Sequence, residues 1–223
     1  MILYLILIVL FKLIINKYFT HITDNHSLFR SFFCFFISTL SLFNSVLNWN
    51  NLITNPIGYT YLSTIINKLM FSYMLVDTTY FLFSNNIRVE LIFHHIICII
   101  LYGLFYNKII LSFGACAEIL SAFNWIGILY PNIEWVNKLF RLYAIVFIRL
   151  FIWTYSMIFM LKYTYYNYLA ILFSVIFICL DCYWVSIILK NYYKHKSFIK
   201  KKLFHMPVKL LKINLLNLLK IKA

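Results

Sequence analysis

Ionisable side chains interrupt five of the most apolar stretches of this 223-residue chain. A charged side chain in the hydrocarbon of a membrane costs about 3 kcal/mol or more, so such groups normally face the interior of a helix bundle and mark a site. We therefore expect them to line one shared polar site. They are Asp77, the adjacent pair His94 and His95, Glu118, Arg149 and Asp181.

These residue types could perform acid–base chemistry. A histidine that is oriented by a carboxylate such as Asp77 can take a proton from an amine or a hydroxyl. Helical spacing places Tyr73 on the same face as Asp77, and Ser121 on the same face as Glu118. Three carboxylates against one arginine leave two surplus negative charges, so either a histidine is protonated or a carboxyl is neutral. The alternative is a hydrogen-bond network that only holds helices together.

Metal binding is disfavoured by the spacing of the candidate ligands. Adjacent residues on a helix point about 100° apart, whereas a helical metal site prefers histidines four residues apart; His94 and His95 are adjacent. The motif Cys179-x-x-Cys182 resembles a redox or zinc half-site, but it lies in an apolar run with no second pair nearby. We predict no metal and no cofactor.

The elements that carry these residues are predicted to be transmembrane helices. Apolar residues make up 64% of the chain, the mean hydropathy is +0.86 and only 12% of residues are charged, against about a quarter in soluble domains. The alternating pattern of a β-barrel is missing. The fold class is therefore an all-α polytopic membrane protein. Stretches of about 20 apolar residues predict seven spans: 2–15, 31–49, 62–83, 89–106, 109–130, 142–161 and 165–189.

Charge distribution predicts the domain organisation and the orientation. We expect an N-terminal anchor helix and cytosolic loop at 1–30, a transmembrane domain at 31–190 and a basic tail at 191–223. Ten lysines and no acid follow Leu189, which predicts a cytosolic C-terminus and places the polar groups in the cytosolic half of the bilayer.

From Pro207 onward the tail is either an interfacial amphipathic helix on anionic lipid or a solvated segment. No nucleic-acid partner is expected despite a net charge of +14, because half of the basic residues flank or interrupt spans.

Three segments together resemble the TLC (TRAM-LAG1-CLN8) domain. They are the run 71–77 with Tyr73 and Asp77, the double histidine 94–95, and the run 117–123 with Glu118 and Ser121. The resemblance covers roughly 31–190 and is closest to the small TLC-domain-containing proteins. It implies six helices around a lipid-accessible inner cavity, preceded by the anchor helix. It also implies a role in lipid synthesis, sensing or trafficking in the endoplasmic reticulum or a related membrane.

Three functions are compatible with these features. The first is a protein that binds, senses or moves a membrane lipid. The second is an acyl-CoA-dependent N-acyltransferase of ceramide-synthase type, with His94, His95 and Asp77 catalytic and acyl-CoA as co-substrate, so whether the chain is an enzyme stays open. The third is a proton-coupled carrier, which the buried acids favour but for which no inverted repeat is detectable. The predicted ligand-binding residues are Tyr73, Asp77, His94, His95, Glu118, Ser121, Arg149 and Asp181.

Overall fold

The computed structural model describes residues 2–20, 24–84, 88–122, 124–130, 134–161 and 167–204. The chain divides into two compact units, Met1–Cys182 and Tyr183–Ala223. Within the described residues the secondary structure is helical, apart from one isolated antiparallel bridge between Tyr59 and Lys108. The predicted all-α class is confirmed at this level. The predicted amphipathic segment of the tail, from Pro207 onward, lies outside the described residues.

The helices follow one another with short connections. In chain order they are α1 Ile2–Tyr18, α2 Asn25–Leu47, α3 Trp49–Thr54, α4 Tyr61–Phe83, α5 Val89–Leu104, α6 Ile109–Gly114, α7 Ile119–Ala122, α8 Asn124–Leu129, α9 Glu134–Tyr143, α10 Leu150–Met160 and α11 Asn167–Phe204. A 3₁₀ turn, Ala115–Glu118, separates α6 from α7, and a π-helix, Ala144–Arg149, separates α9 from α10. Both irregular segments carry residues of the candidate site.

Four helical segments of the described chain are long and apolar enough to cross a membrane. They are Asn25–Leu47, Ile109–Leu129, Lys138–Phe159 and Ile171–Lys190. Val89–Leu104 is apolar but shorter. The membrane character of the chain is therefore supported, whereas the total of seven spans stays a prediction.

Helix α2 begins earlier than the sequence pattern predicts. Its first residue is Asn25, six positions before the predicted start of the span at residue 31. The cause is Asp24, whose Oδ1 accepts a hydrogen bond from the backbone N–H of Ser27 at 3.0 Å and so caps the helix. The longer helix carries His26 and Arg30 into the bundle.

Helix α2 also has its polar face inward. Ser41 and Asn44 are fully buried, while Leu42 and Phe43 are 59% and 56% exposed. Asn44 Nδ2 donates a hydrogen bond to Ser112 Oγ at 2.8 Å. A helix in water has the opposite arrangement, whereas a helix in lipid hydrogen-bonds its small polar residues to its neighbours. The outward face is therefore suited to contact hydrocarbon.

The apolar core of the first unit packs α2, α4 and α5 around the candidate site. Buried residues at its centre are Phe29, Ile37, Met70, Met74 and Ile97. Each of these three helices also carries residues of the polar site on its inner face. The core therefore fixes the distances between polar side chains that are far apart in the sequence.

Candidate functional site

Asp77 is the centre of the first group of contacts. Its carboxylate is fully buried in the second half of α4. Oδ1 lies 2.6 Å from Nε2 of His26. Oδ2 lies 2.9 Å from Nε of Arg30 and 3.4 Å from Nε2 of His95, and it accepts a hydrogen bond from the Tyr73 hydroxyl at 3.4 Å. One carboxylate thus joins α2, α4 and α5.

These contacts fix the roles of the two histidines around Asp77. An ionised carboxylate only accepts hydrogen bonds. His26, whose Nε2 is within hydrogen-bond distance of the carboxylate, therefore donates from that nitrogen, and Nε2 of His95 faces the same carboxylate at 3.4 Å. Their other ring nitrogens, the two Nδ1 atoms, are buried and have no hydrogen-bond partner among the described residues. Each Nδ1 is consequently an unused acceptor inside the protein.

Glu118 is the centre of the second group. Its side chain is largely buried, with the residue 9% exposed. The Cys34 thiol donates to Oε2 at 3.6 Å, and Nε2 of His94 lies 3.7 Å from Oε1. Cys34 Sγ is also 3.5 Å from the hydroxyl of Tyr73. The Glu118 group is therefore continuous with the first group, but its contacts are long.

Arg149 and Asp181 form the third group. Nε of Arg149 donates to Oδ1 of Asp181 at 2.8 Å, and Nε1 of Trp153 donates to Oδ2 at 2.9 Å. The Arg149 guanidinium also donates through NH1 to the carbonyl oxygen of Ala117 at 3.1 Å. Ala117 lies in the 3₁₀ turn and Arg149 ends the π-helix. Irregular helical turns of this kind occur frequently at functional sites.

Aromatic rings connect the second group to the third. The ring of Phe177 stacks on Trp153 with centroids 4.5 Å apart, and it meets the ring of His94 edge-on at 5.4 Å. On the other side, Phe33 stacks on Tyr73 at 4.3 Å. The ionisable side chains are thus enclosed by aromatic surface. A low-dielectric environment of this kind strengthens every charge–charge interaction inside it.

The structure brings most of the predicted site residues into linked contacts. Ser121 is the exception: it is half-buried and contributes its backbone carbonyl oxygen, which accepts a hydrogen bond from Ser31 Oγ at 2.9 Å. The residues in linked contacts are Tyr73, Asp77, His94, His95, Glu118, Arg149 and Asp181. Their assignment to a ligand or to catalysis stays a prediction.

The two adjacent histidines face different partners. His95 lies against Asp77 and His94 against Glu118, and their ring centroids are 5.6 Å apart. Within the described residues, no group of three or more His, Cys, Asp or Glu side chains has the arrangement of a metal site. The Asp77 carboxylate is already paired with the guanidinium of Arg30.

Three side chains of α2 belong to the site but are not among the predicted site residues. His26, Arg30 and Cys34 follow one another at four-residue intervals, the spacing of one helix face. That spacing was the available signal, but Arg30 was assigned to the cytosolic loop. Because Arg30 supplies a second buried guanidinium, the surplus of negative charge falls from two to one. The remaining surplus belongs to Glu118.

Over the part of the chain that the structure describes, fold and contacts together define an all-helical protein with four candidate membrane spans and a buried network of ionisable side chains. No protein-family model, no curated protein and no solved structure significantly matches the chain.

Proposed function

We propose that this chain is a seven-span membrane protein of TLC type that binds a lipid by its head group, in order to sense or move that lipid. The three further spans are α1, α4 and α5, which contain 17, 23 and 16 residues. At 1.5 Å per residue they are about 24 to 35 Å long, close to the roughly 30 Å of hydrocarbon. The three segments that resemble the TLC domain carry Asp77, the double histidine and Glu118.

The lipid assignment rests on one observation, the weak pairing of Glu118. Asp77 and Asp181 each have an arginine nitrogen within 2.9 and 2.8 Å. Among the described side chains, the nearest donors to Glu118 are a thiol at 3.6 Å and an imidazole nitrogen at 3.7 Å. A buried carboxylate is costly unless it is paired and hydrogen-bonded. Glu118 is therefore the buried acid with spare capacity to bind a ligand.

The chemistry around Glu118 favours a particular kind of head group. A protonated amine or a hydroxyl would donate to the Glu118 carboxylate. The hydroxyl of Tyr73 lies next to Cys34 and supplies a further polar contact. Aromatic rings of Phe33 and Phe177 flank the site and favour an apolar tail. The ligand class is thus a lipid whose head carries an amine or hydroxyl.

The location in the cell follows from the same proposal. We place the protein in the endoplasmic reticulum or a related endomembrane, with the lysine-rich tail in the cytosol. There the lysines would bind anionic lipid, each contributing about 1 kcal/mol near the surface.

The proposal is tested by the lipids that accompany the protein. The full chain is purified in mild detergent, and bound lipids are identified by native mass spectrometry. We expect an amine- or hydroxyl-bearing lipid with wild type and at least about a tenfold loss of it with Glu118→Gln. Glu90→Gln is the matched control, because Glu90 is paired with Arg88 and partly exposed. Equal retention by both variants would exclude a head-group role for Glu118.

An acyltransferase is the second candidate, and the geometry of His95 favours it. Nε2 of His95 faces Asp77 at 3.4 Å, while Nδ1 has no partner among the described residues. A general base is oriented in this way, with one ring nitrogen facing a carboxylate, and the buried Nδ1 would take the proton from a bound substrate that reaches it. In the reaction, an amine nitrogen would attack the thioester carbon of acyl-CoA. Nδ1 would take the amine proton, and the coenzyme A thiolate would leave and be protonated.

Turnover distinguishes the two candidates. Transfer from acyl-CoA to long-chain amines is assayed with wild type, His94→Ala and His95→Ala, each shown to be folded by its thermal unfolding. Loss of transfer in His95→Ala would support the enzyme. Bound lipid with no transfer by wild type would support the lipid-binding function alone.

A further inference from the structure

The helix that carries Glu118 is irregular at that residue. The segment Ile109–Leu129 is long and apolar enough to cross a membrane, yet Ala115–Glu118 form a 3₁₀ turn and do not continue the α-helix before them. The backbone N–H of Ile119, which follows the turn, bonds to the carbonyl oxygen of Cys116, three residues before it. A stretch of 3₁₀-helix in the middle of a longer helix often marks a functional element.

The 3₁₀ turn sets the direction in which Glu118 points. Each residue turns through about 120° in a 3₁₀-helix and about 100° in an α-helix. From Ala115 to Glu118 the turn therefore rotates the side chain by about 60° relative to an uninterrupted α-helix. In the resulting direction, Oε2 lies 3.6 Å from the Cys34 thiol and Oε1 lies 3.7 Å from Nε2 of His94. The surroundings of Glu118 thus depend on the shape of this turn.

Arg149 holds the turn from another helical segment. Its NH1 donates to the carbonyl oxygen of Ala117, the residue directly before Glu118, at 3.1 Å. Its Nε donates to Oδ1 of Asp181 at 2.8 Å. The guanidinium is planar and presents its N–H groups in a fixed fork. One buried side chain therefore ties the backbone beside Glu118 to a carboxylate on α11.

Asp181 in turn fixes the position of Arg149. The side chains of the pair are 2% and 0% exposed. Both oxygens of Asp181 accept hydrogen bonds, Oδ1 from Arg149 and Oδ2 from Nε1 of Trp153 at 2.9 Å. A carboxylate with these partners has little capacity left for a ligand, but it is well placed to orient the guanidinium.

We propose that Arg149, held by Asp181, is a positioning residue that keeps Ala115–Glu118 in the 3₁₀ form and so directs the Glu118 carboxylate towards its ligand. On this assignment, neither Arg149 nor Asp181 contacts the ligand itself. The inference rests on the ligand-binding role proposed for Glu118. It also has a consequence of its own, because loss of the Arg149 contact should reorient Glu118 when no ligand is bound.

The first test separates positioning from stability. Arg149→Met combined with Asp181→Leu replaces the ion pair by an apolar pair, which preserves the fold but removes the donor to Ala117. The probe is dodecylamine, and its binding to the full chain in an uncharged detergent is measured by native mass spectrometry. We expect this double variant to bind dodecylamine at least about tenfold more weakly than wild type, as when an orienting partner of a binding group is removed.

The matched control makes the same substitutions in another arginine–carboxylate pair. Arg88→Met combined with Glu90→Leu acts at the start of α5, where the pair is partly exposed. Dodecylamine binding should stay within about twofold of wild type in this control. Wild-type affinity in the Arg149→Met, Asp181→Leu variant would overturn the proposal.

A variant of Glu118 shows whether Arg149 acts through it. When Glu118→Gln is already present, adding Arg149→Met and Asp181→Leu should change dodecylamine binding by less than about twofold, because the group that they position is gone. Additive losses would overturn the proposal, since they would mean that Arg149 or Asp181 acts on the ligand independently of Glu118.

A second measurement follows Glu118 without any ligand. Dicyclohexylcarbodiimide is an apolar reagent that modifies protonated carboxyl groups, and mass spectrometry of digests gives the rate at each acid. Glu118 is only 9% exposed. Release of the turn in the Arg149→Met, Asp181→Leu variant should raise its rate of modification at least about fivefold. An unchanged or slower rate at Glu118 overturns the proposal.

The ligand-free measurement also separates this proposal from the lipid-binding function. If wild type does not bind dodecylamine but modification of Glu118 rises in the double variant, the positioning role stands and binding of an amine head group by Glu118 is contradicted. If wild type binds dodecylamine and the double variant matches it in both measurements, the positioning role is contradicted and the lipid-binding function stands.

Arg149→Lys provides a further variant in case the double variant does not fold. Lysine keeps the charge opposite Asp181 but lacks the fixed fork that reaches Ala117 at the same time. It should weaken dodecylamine binding and accelerate modification of Glu118, each by at least about threefold. Wild-type behaviour of Arg149→Lys in both measurements overturns the proposal.

Discussion

Nε2 of His94 and Oε1 of Glu118 lie 3.7 Å apart, longer than a good hydrogen bond. The neighbouring Arg149–Asp181 pair closes to 2.8 Å in the same part of the bundle. The buried network therefore consists of two tight ion pairs and one acid with loose contacts. Tight pairs hold helices together, and a loosely held acid is available to a ligand.

Glu118 and Asp77 are expected to differ in their effect on stability. Asp77→Asn should lower the free energy of unfolding by about 3 kcal/mol, because it leaves Arg30 buried without its counterion. Glu118→Gln should change it by less than about 1 kcal/mol, since it removes a charge whose contacts with Cys34 and His94 are long, at 3.6 and 3.7 Å. Unfolding in detergent followed by tryptophan fluorescence measures both. A loss in Glu118→Gln as large as that in Asp77→Asn would make Glu118 a structural residue.

The Arg149–Asp181 pair should behave as a buried ion pair. Arg149→Met and Asp181→Leu should each lower the free energy of unfolding by about 3–5 kcal/mol, because each leaves one charge uncompensated. The double variant should recover most of this loss, since an apolar pair replaces both charges. Additive losses in the double variant would contradict the pairing.

The exposed pair Arg88–Glu90 is the control for that experiment. Its side chains are 42% and 24% exposed. Water screens such a pair, so Arg88→Gln should cost only about 0–1 kcal/mol.

His26 is expected to stabilise the start of α2 in two ways. Its ring stacks on Tyr80 with centroids 3.4 Å apart, and its Nε2 donates to Asp77. His26→Phe keeps the stacking and loses the hydrogen bond, which should cost about 1–2 kcal/mol. His26→Ala loses both and should cost about 1 kcal/mol more. Thermal unfolding measures the stability of both variants. If both unfold at the wild-type temperature, His26 does not stabilise the start of α2.

The five cysteines should separate into two reactivity classes. Cys34, Cys98 and Cys116 are buried, whereas Cys179 and Cys182 are exposed on α11. A maleimide that partitions into detergent should modify the exposed pair at least about tenfold faster, since access limits the reaction. Mass spectrometry of digests gives the rate at each site, and the denatured protein provides the reference. Fast modification of Cys34 in the folded protein would contradict the packing of α2.

The predicted orientation can be measured in sealed microsomes. Protease should remove a C-terminal epitope without detergent. Asn25, which begins the glycosylation sequon Asn25-His26-Ser27, should carry no glycan because the predicted topology places it in the cytosol. A spaced glycosylation tag inserted between Tyr106 and Asn107 should be modified, because an odd number of spans separates this loop from the tail. A glycan at Asn25 would reverse the orientation.

Several features of the fold could be predicted from the sequence. The predicted span 62–83 agrees with α4, Tyr61–Phe83, to within one residue at its start. Asp77, His94 and Glu118 were found because an ionisable group in an apolar run has a known cost. That cost depends only on the local sequence, so these three residues could be identified without the structure.

Other features depended on contacts that no local pattern encodes. Arg30 was assigned to a loop because a positive residue beside an apolar run is typical of a span boundary. The Asp24 cap extends α2 past it and places the guanidinium 2.9 Å from Asp77. The π-helix Ala144–Arg149 was not predicted either, since residues 144–148 form an unbroken apolar run that continues the helical pattern.

The amino-acid sequence by itself determined the class of this protein and most of its ionisable site residues, because burying charge in hydrocarbon is expensive wherever it occurs. Only the tertiary structure decided the pairing: Asp77 with His26 and Arg30, Asp181 with Arg149, and Glu118 with long contacts alone. Partners such as Arg149 and Asp181 are 32 residues apart. Their distance is set by how whole helices pack, which is a property of the assembled bundle.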